Sequence, residues 1–225
     1  ISNAPYEGGS HLPDITVVTP CLENGKVSFW VASRGHHADI GGSVPGSMPP
    51  FSHTLSEEGA LFEAFALVDQ GRFNEEKVRR ILQAAGARRI EDNLSDLRAQ
   101  VAANTEGIAG VLALMEEYGK ARIERYMVSI RQISEAAVRK FLRSRADTEL
   151  VAEESLDSGS RIALKVSIDD DGGAVFDFSG SGMELWGNQN TPPSVVRSAV
   201  IYTLRAMLRE DLPLNEGLIA PIELR

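Results

Sequence analysis

Apolar and polar positions alternate with a period of two along residues 14–22 and 26–34. Ile15, Val17 and Val18 open the first run, and Val27, Phe29 and Val31 recur along the second. Glu23-Asn24-Gly25 lies between them and is a tight-turn signal, so the pattern predicts a β-hairpin. Residues 35–59 then lose all periodicity and carry Gly35, Gly41-Gly42, Pro45-Gly46 and Pro49-Pro50, which predicts a long loop of the kind that serves function. From residue 74 the period changes to that of a helix. Asn74 caps a short helix over 74–85, with Glu75 and Glu76 in its first turn. Two longer helices follow. One carries a stripe of Leu94, Leu97, Val101, Ile108, Val111, Leu112 and Met115, and the other a stripe of Ile123, Met127, Ile130, Ile133, Ala137 and Phe141. Gly119 near their junction predicts an antiparallel helical hairpin.

Strict alternation returns at Ile162, Leu164, Val166 and Ile168. The turn Asp169-Asp-Asp-Gly-Gly173 leads to a return strand through Val175, Phe176 and Phe178. The acidic turn lacks the spaced ligands and closing Glu of an EF-hand loop, so a plain turn is the simpler reading. Thr191-Pro192 is a start signal for a last helix, whose apolar side is Val196, Ala199, Val200, Leu204 and Met207. The fold class is therefore α+β: β-hairpins, a central antiparallel helical hairpin and a mixed sheet packed by helices. We divide the chain into a hairpin and Gly/Pro-rich loop at 1–60, a helical region at 61–147 and an α/β region at 148–225.

Composition changes this picture little. The 225 residues are 43% hydrophobic and 24% charged, enough apolar material for a core. A net charge of −9 argues against nucleic-acid binding. The eight Lys and Arg against two Glu within 120–145 are read as a solvated helix face or a face against an acidic partner. No apolar run has the roughly 18 residues of a membrane span, and no signal pattern opens the chain, so a cytoplasmic protein is expected. The single cysteine, Cys21, sits in an apolar run and is expected to be a buried small hydrophobe. The chain begins without Met and stops at Pro221-Ile-Glu-Leu-Arg225, which suggests a segment of a longer polypeptide.

The histidines are the unusual feature. All four fall at or before residue 53, and three lie in two pieces with one skeleton, His11-Leu-Pro-Asp14 and His36-His37-Ala-Asp39. The pieces flank the predicted hairpin at the same end, so antiparallel pairing would bring His11 and Asp14 near His36 and Asp39. Imidazole with carboxylate is the ligand set of borderline divalent ions such as zinc, manganese and iron. A site of His11, Asp14 and one or two of His36, His37 and Asp39 would leave coordination positions open for water. If the second strand runs on to residue 37, parity places His37 on the side of Val27, Phe29 and Val31 and His36 on that of Trp30 and Ala32. Ordinary hydrogen-bonded loop histidines are the competing reading, and His53 is read that way. Asn188 and Asn190, ahead of the last helix, are candidates to hold a substrate carbonyl or anion, with plain capping as the alternative. No Gly-x-Ser-x-Gly, phosphate-loop lysine or Gly-x-Gly-x-x-Gly motif is present.

Pro5-Tyr-Glu-Gly-Gly-Ser-His-Leu-Pro-Asp14, Ser33-Arg-Gly-His-His-Ala-Asp-Ile-Gly-Gly42 and Pro45-Gly-Ser-Met-Pro-Pro50 resemble the hydantoinase B family. Asn190-Thr-Pro-Pro193 and Leu212-Pro-Leu-Asn-Glu-Gly217 fit it as well. That family takes in N-methylhydantoinase B subunits, the matching half of 5-oxoprolinase and the large subunits of acetone and acetophenone carboxylases. The resemblance implies a hydrolase of carbon–nitrogen bonds in cyclic amides, working with an ATP-using partner of the hydantoinase A type in an oligomer. In the carboxylase branch the small-molecule substrate is a ketone instead, and a non-catalytic scaffold is the third alternative. The resemblance implies a divalent transition metal (zinc, manganese or iron) on His11, Asp14 and His36, with Asp39 as a further ligand candidate. ATP would bind the partner, and His37 or Asp39 would move the proton. One position departs: the family has Asn-Asp-Pro-Tyr where this chain has Asn3-Ala4-Pro5-Tyr6, which bears on metal affinity if that Asp supports the site.

Overall fold

The computed structural model describes residues 1–146 and 149–225, and the boundary set between residues 147 and 148 lies outside them. The chain forms two compact units, the first of Ile1–Glu117 with Leu185–Ser194 and the second of Tyr118–Glu184 with Val195–Arg225.

The first unit opens with strands β1 (Asp14–Glu23) and β2 (Lys26–His36), paired antiparallel as a hairpin. Asn24 and Gly25 take φ of 50° and 74°, the left-handed pair that a two-residue hairpin turn demands. β2 runs two residues further than predicted, so Asp14 sits opposite His36, Thr16 opposite Arg34, Val18 opposite Ala32 and Pro20 opposite Trp30. Cys21 is buried in β1, as expected. The loop after β2 contains one element the pattern did not show, the single turn α1 (Leu55–Glu58). Glu57 Oε2 caps it by accepting the His53 and Thr54 N–H groups at 2.6 and 3.0 Å. A small hairpin, β3 (Val68–Asp69) and β4 (Arg72–Phe73), precedes α2 (Glu75–Ala84) and the long α3 (Ile90–Tyr118). The core joins Leu12, Ile15 and Val17 to Phe62, Val78, Leu82, Leu94 and Leu97.

Gly41 shows how tightly the loop is laid on this core. Its φ is +100°, and a Cβ there would stand 2.1 Å from the Ala85 carbonyl oxygen. Only glycine fits both the conformation and the space.

The second unit contains α4 (Lys120–Arg143), which follows α3 after the single residue Gly119 at φ 85°. Each of these two helices belongs to its own unit apart from Tyr118, so the chain divides inside the region read as one helical block. A four-stranded mixed sheet follows, in the order β5 (Leu150–Ser155), β6 (Arg161–Ile168), β7 (Ala174–Asp177) and β8 (Ile222–Leu224). The first three strands are antiparallel, and β7 and β8 run parallel. β5 escaped the sequence pattern because every residue in it is exposed and no face is marked by burial. Asp169 Oδ1 accepts the N–H groups of Asp171 and Gly173 and closes the acidic turn. α5 (Pro193–Leu208) begins at the second proline, one residue later than predicted, so Thr191 is not its cap. The buried face of α4 also differs from prediction. Ser134, Val138 and Leu142 are buried, with Ala137 and Phe141 packed beside them, whereas Met127, Ile130 and Ile133 are exposed. Only the second half of the helix supplies the core shared with Val166, Val200, Leu204 and Leu218.

Candidate functional site

Hairpin pairing brings the two His–Asp pieces to one end of the first unit. Asp14 and His36 are register partners, and the His11 and His36 rings lie 5.0 Å apart between centroids, tilted by 47°. Asp14 Oδ2 stands 3.1 Å from His11 Nδ1 and accepts a 2.6 Å hydrogen bond from Ser10 Oγ. His36 is exposed, and His11 and Asp14 are half-buried, so all three can meet a ligand. Their donor chemistry is that of a borderline divalent cation. As the side chains lie, no group of three or more His, Cys, Asp and Glu among the described residues is gathered closely enough to hold an ion. The His11–Asp14 contact occupies Nδ1 of the ring and Oδ2 of the carboxylate.

His37 and Asp39 face elsewhere. His37, one residue past the end of β2, is 1% exposed. Its Nδ1 lies 2.9 Å from Asn93 Oδ1 and its Nε2 3.1 Å from Gln100 Oε1, so both ring nitrogens are engaged by α3. The amide orientations are set independently. Asn93 Nδ2 donates to the Asp39 and Arg89 carbonyls, and Gln100 Nε2 to those of Ile15 and Ser33. Asp39 is buried and tied by the Gly41 and Gly46 N–H groups and by Arg88 at 3.0 Å. Burial works against its charge, but the two backbone bonds and the Arg88 guanidinium outweigh it and hold its carboxyl below the usual carboxylate range. His37 and Asp39, read from the sequence as proton carriers, are both buried and bonded into the fold. They clamp the end of β2 and the loop after it onto α3 and the α2–α3 link.

The asparagines before α5 also spend their amides on the fold. Asn188 Nδ2 donates to the Pro49 carbonyl at 2.7 Å, tying residues 185–194 to the Gly/Pro-rich loop. Asn190 closes its own turn through Leu185 and Gly187. His53 stacks on the exposed Trp186, with ring centroids 5.7 Å apart.

Sequence reasoning missed the polar stripe that carries the site. Asn93, Gln100 and Asn104 are all buried on α3 beside Leu94 and Leu97. They reach the carbonyls of Asp39, Ile15, Ser33 and Val17 and so bond the hairpin and its loop to the helix. The available signal was three amides at spacings of seven and four along one helical face. Asn3 was missed as well. It is 1% exposed, donates to Leu12 and Ala60 carbonyls and accepts from Phe62 N–H, anchoring the His11 segment.

The sequence profile described as Hydantoinase B/oxoprolinase matches residues 1–225. The chain is 46% identical over 250 residues to 5-oxoprolinase 1 of Arabidopsis thaliana, covering 100% of this chain and 20% of that protein. It therefore spans about a fifth of the length of the 5-oxoprolinases it matches. Among solved structures, the ATP-dependent caprolactamase of Pseudomonas jessenii superposes with a TM-score of 0.89 at 25% identity, covering 100% of this chain and 39% of that one. A nucleotide-free acetone carboxylase superposes with a TM-score of 0.84 over 99% of this chain and 31% of its own; at 16% identity that likeness is one of fold alone. Among the described residues no helix is long and apolar enough to cross a membrane.

Proposed function

Because the chain belongs to the Hydantoinase B/oxoprolinase family, we propose that it is the metal-bearing part of an ATP-dependent hydrolase that opens a cyclic amide, with 5-oxoproline or a related lactam or hydantoin as substrate. The observation that carries this reading is the meeting of His11, Asp14 and His36 at the open end of the β1–β2 hairpin. His11 and His36 would hold the ion, with Asp14 as carboxylate ligand once it leaves His11, and other donors would come from water, substrate or the rest of the longer protein. A divalent ion supplies Lewis acidity toward the ring carbonyl and lowers the pKa of bound water.

The other residues position. His37, between Asn93 and Gln100, fixes the strand end so that His36 faces outward. Asp39 with Arg88 holds the loop that follows, and Ser10 orients the Asp14 carboxylate. The chain has no phosphate-loop motif of its own, so ATP use is assigned to a hydantoinase A-type partner or region.

The test uses the full-length protein with its ATP-using component. Wild type is expected to turn over 5-oxoproline only with ATP and to carry a stoichiometric transition metal by elemental analysis. His11→Ala and His36→Ala should each lower metal content and reduce turnover by about 100-fold or more, since each removes a direct ligand. Full metal content and activity in both variants would sink the metal assignment. Bicarbonate-dependent consumption of acetone or acetophenone in place of lactam turnover would move the protein to the carboxylase branch.

A further inference from the structure

The outward face of the hairpin carries, in order, the Asp14–His36 pair, the Thr16–Arg34 pair, the Val18–Ala32 pair and the Pro20–Trp30 pair. Arg34 is exposed, and its Nε donates to Thr16 Oγ1 across the strands at 2.8 Å. That bond orients the guanidinium and uses one of its five donors, leaving both terminal nitrogens for a ligand. No ion pair among the described residues includes Arg34: the carboxylate diagonal to it, Asp14, is already engaged by Ser10 and His11. Beyond Arg34, away from the histidines, the face turns apolar, with Val18 and Trp30 48% and 61% exposed. An oriented, unpaired guanidinium between an imidazole–carboxylate cluster and an apolar strip is built to take a planar anion bidentately.

Arg34 and His36 are two residues apart on one strand face, a step of roughly 7 Å. That separation matches a small molecule with a carboxylate at one end and the reacting carbonyl at the other. We propose that Arg34, oriented by Thr16, binds the carboxylate of the cyclic-amide substrate and so selects rings that carry an acid group over neutral lactams. This rests on the function proposed above and adds the residue that determines specificity.

The test compares full-length wild type, Arg34→Gln, Arg34→Lys and Thr16→Val, measuring kcat and KM for 5-oxoproline and the inhibition constant of its neutral carboxamide. Arg34→Gln should raise KM about 10- to 100-fold, the size of a lost charge-assisted bidentate pair, with kcat changed less than about 3-fold and the carboxamide's inhibition constant nearly constant. Arg34→Lys should recover part of the loss, because the charge remains and the fork does not. Thr16→Val should show a smaller rise of the same kind. An unchanged KM in Arg34→Gln, a parallel weakening of the carboxamide, or a fall in kcat alone would overturn the assignment while leaving the hydrolase reading intact. No turnover of 5-oxoproline by wild type would overturn both.

Discussion

Gln100→Leu isolates the polar stripe of α3 from the packing around it. Leucine keeps nearly the same volume, so little cavity forms and the cost is polar. Three bonds go: to the Ile15 carbonyl at 2.9 Å, to the Ser33 carbonyl at 3.3 Å and to His37 Nε2 at 3.1 Å. Ile15 is fully buried and His37 is 1% exposed, so water replaces neither contact. The Ile15 and Ser33 carbonyls keep their places in the β1–β2 ladder, so the buried group left unsatisfied is His37 Nε2, and the loss comes to about 1–3 kcal/mol. With a urea dependence of about 1–3 kcal/mol per molar, the midpoint for the first unit should fall by about 1 M. Asn104→Leu is the internal control. It also removes two bonds, to the Val17 carbonyl and Thr19 Oγ1, both at 3.0 Å. But it eliminates Asn104 Oδ1, which is buried with no hydrogen-bond partner, so part of the cost is returned. Urea unfolding followed by tryptophan fluorescence should therefore rank Gln100→Leu as clearly the more damaging. Equal shifts, or a shift under about 0.3 M for Gln100→Leu at unchanged slope, would refute the view that these amides bond the hairpin and its histidine to α3.

Two further outcomes follow from the same site. Asp39 has a depressed folded-state pKa, so its stabilisation is complete above the unfolded carboxylate value and is lost as pH falls through the folded one. Asp39→Asn should be less stable than wild type at pH 7, and the gap should close below about pH 4 as the wild-type group protonates; a gap in unfolding temperature that stays constant from pH 7 to pH 3 would show that the charge is not involved. Gly41→Ala should leave little soluble protein, since its Cβ would meet the Ala85 oxygen at 2.1 Å, whereas Gly8→Ala, at φ +91° with nothing within 4 Å, should cost only the left-handed backbone penalty of about 1–2 kcal/mol; comparable soluble yields and melting temperatures would contradict the close approach of the loop.

Local chemistry determined the hairpin, its turn at Asn24-Gly25, the helices near 75–84 and 193–208, and the common end at which His11, Asp14 and His36 meet. Alternation and turn geometry act over a few residues, so side-chain period and antiparallel register can be read directly along the chain. Alternation, carried one residue past the end of β2, also separated His36 from His37 by face. Which face carried chemistry and which was sealed was decided only by tertiary structure, because it depends on what covers each side. α3 laid Asn93 and Gln100 against His37, and Arg88 reached Asp39 from 49 positions away in sequence, bonding both candidate proton carriers into the fold. The exposed first half of α4 and the unmarked strand β5 belong to the same category. A stripe says that a face can be buried; only the neighbour that arrives, or fails to arrive, decides that it is.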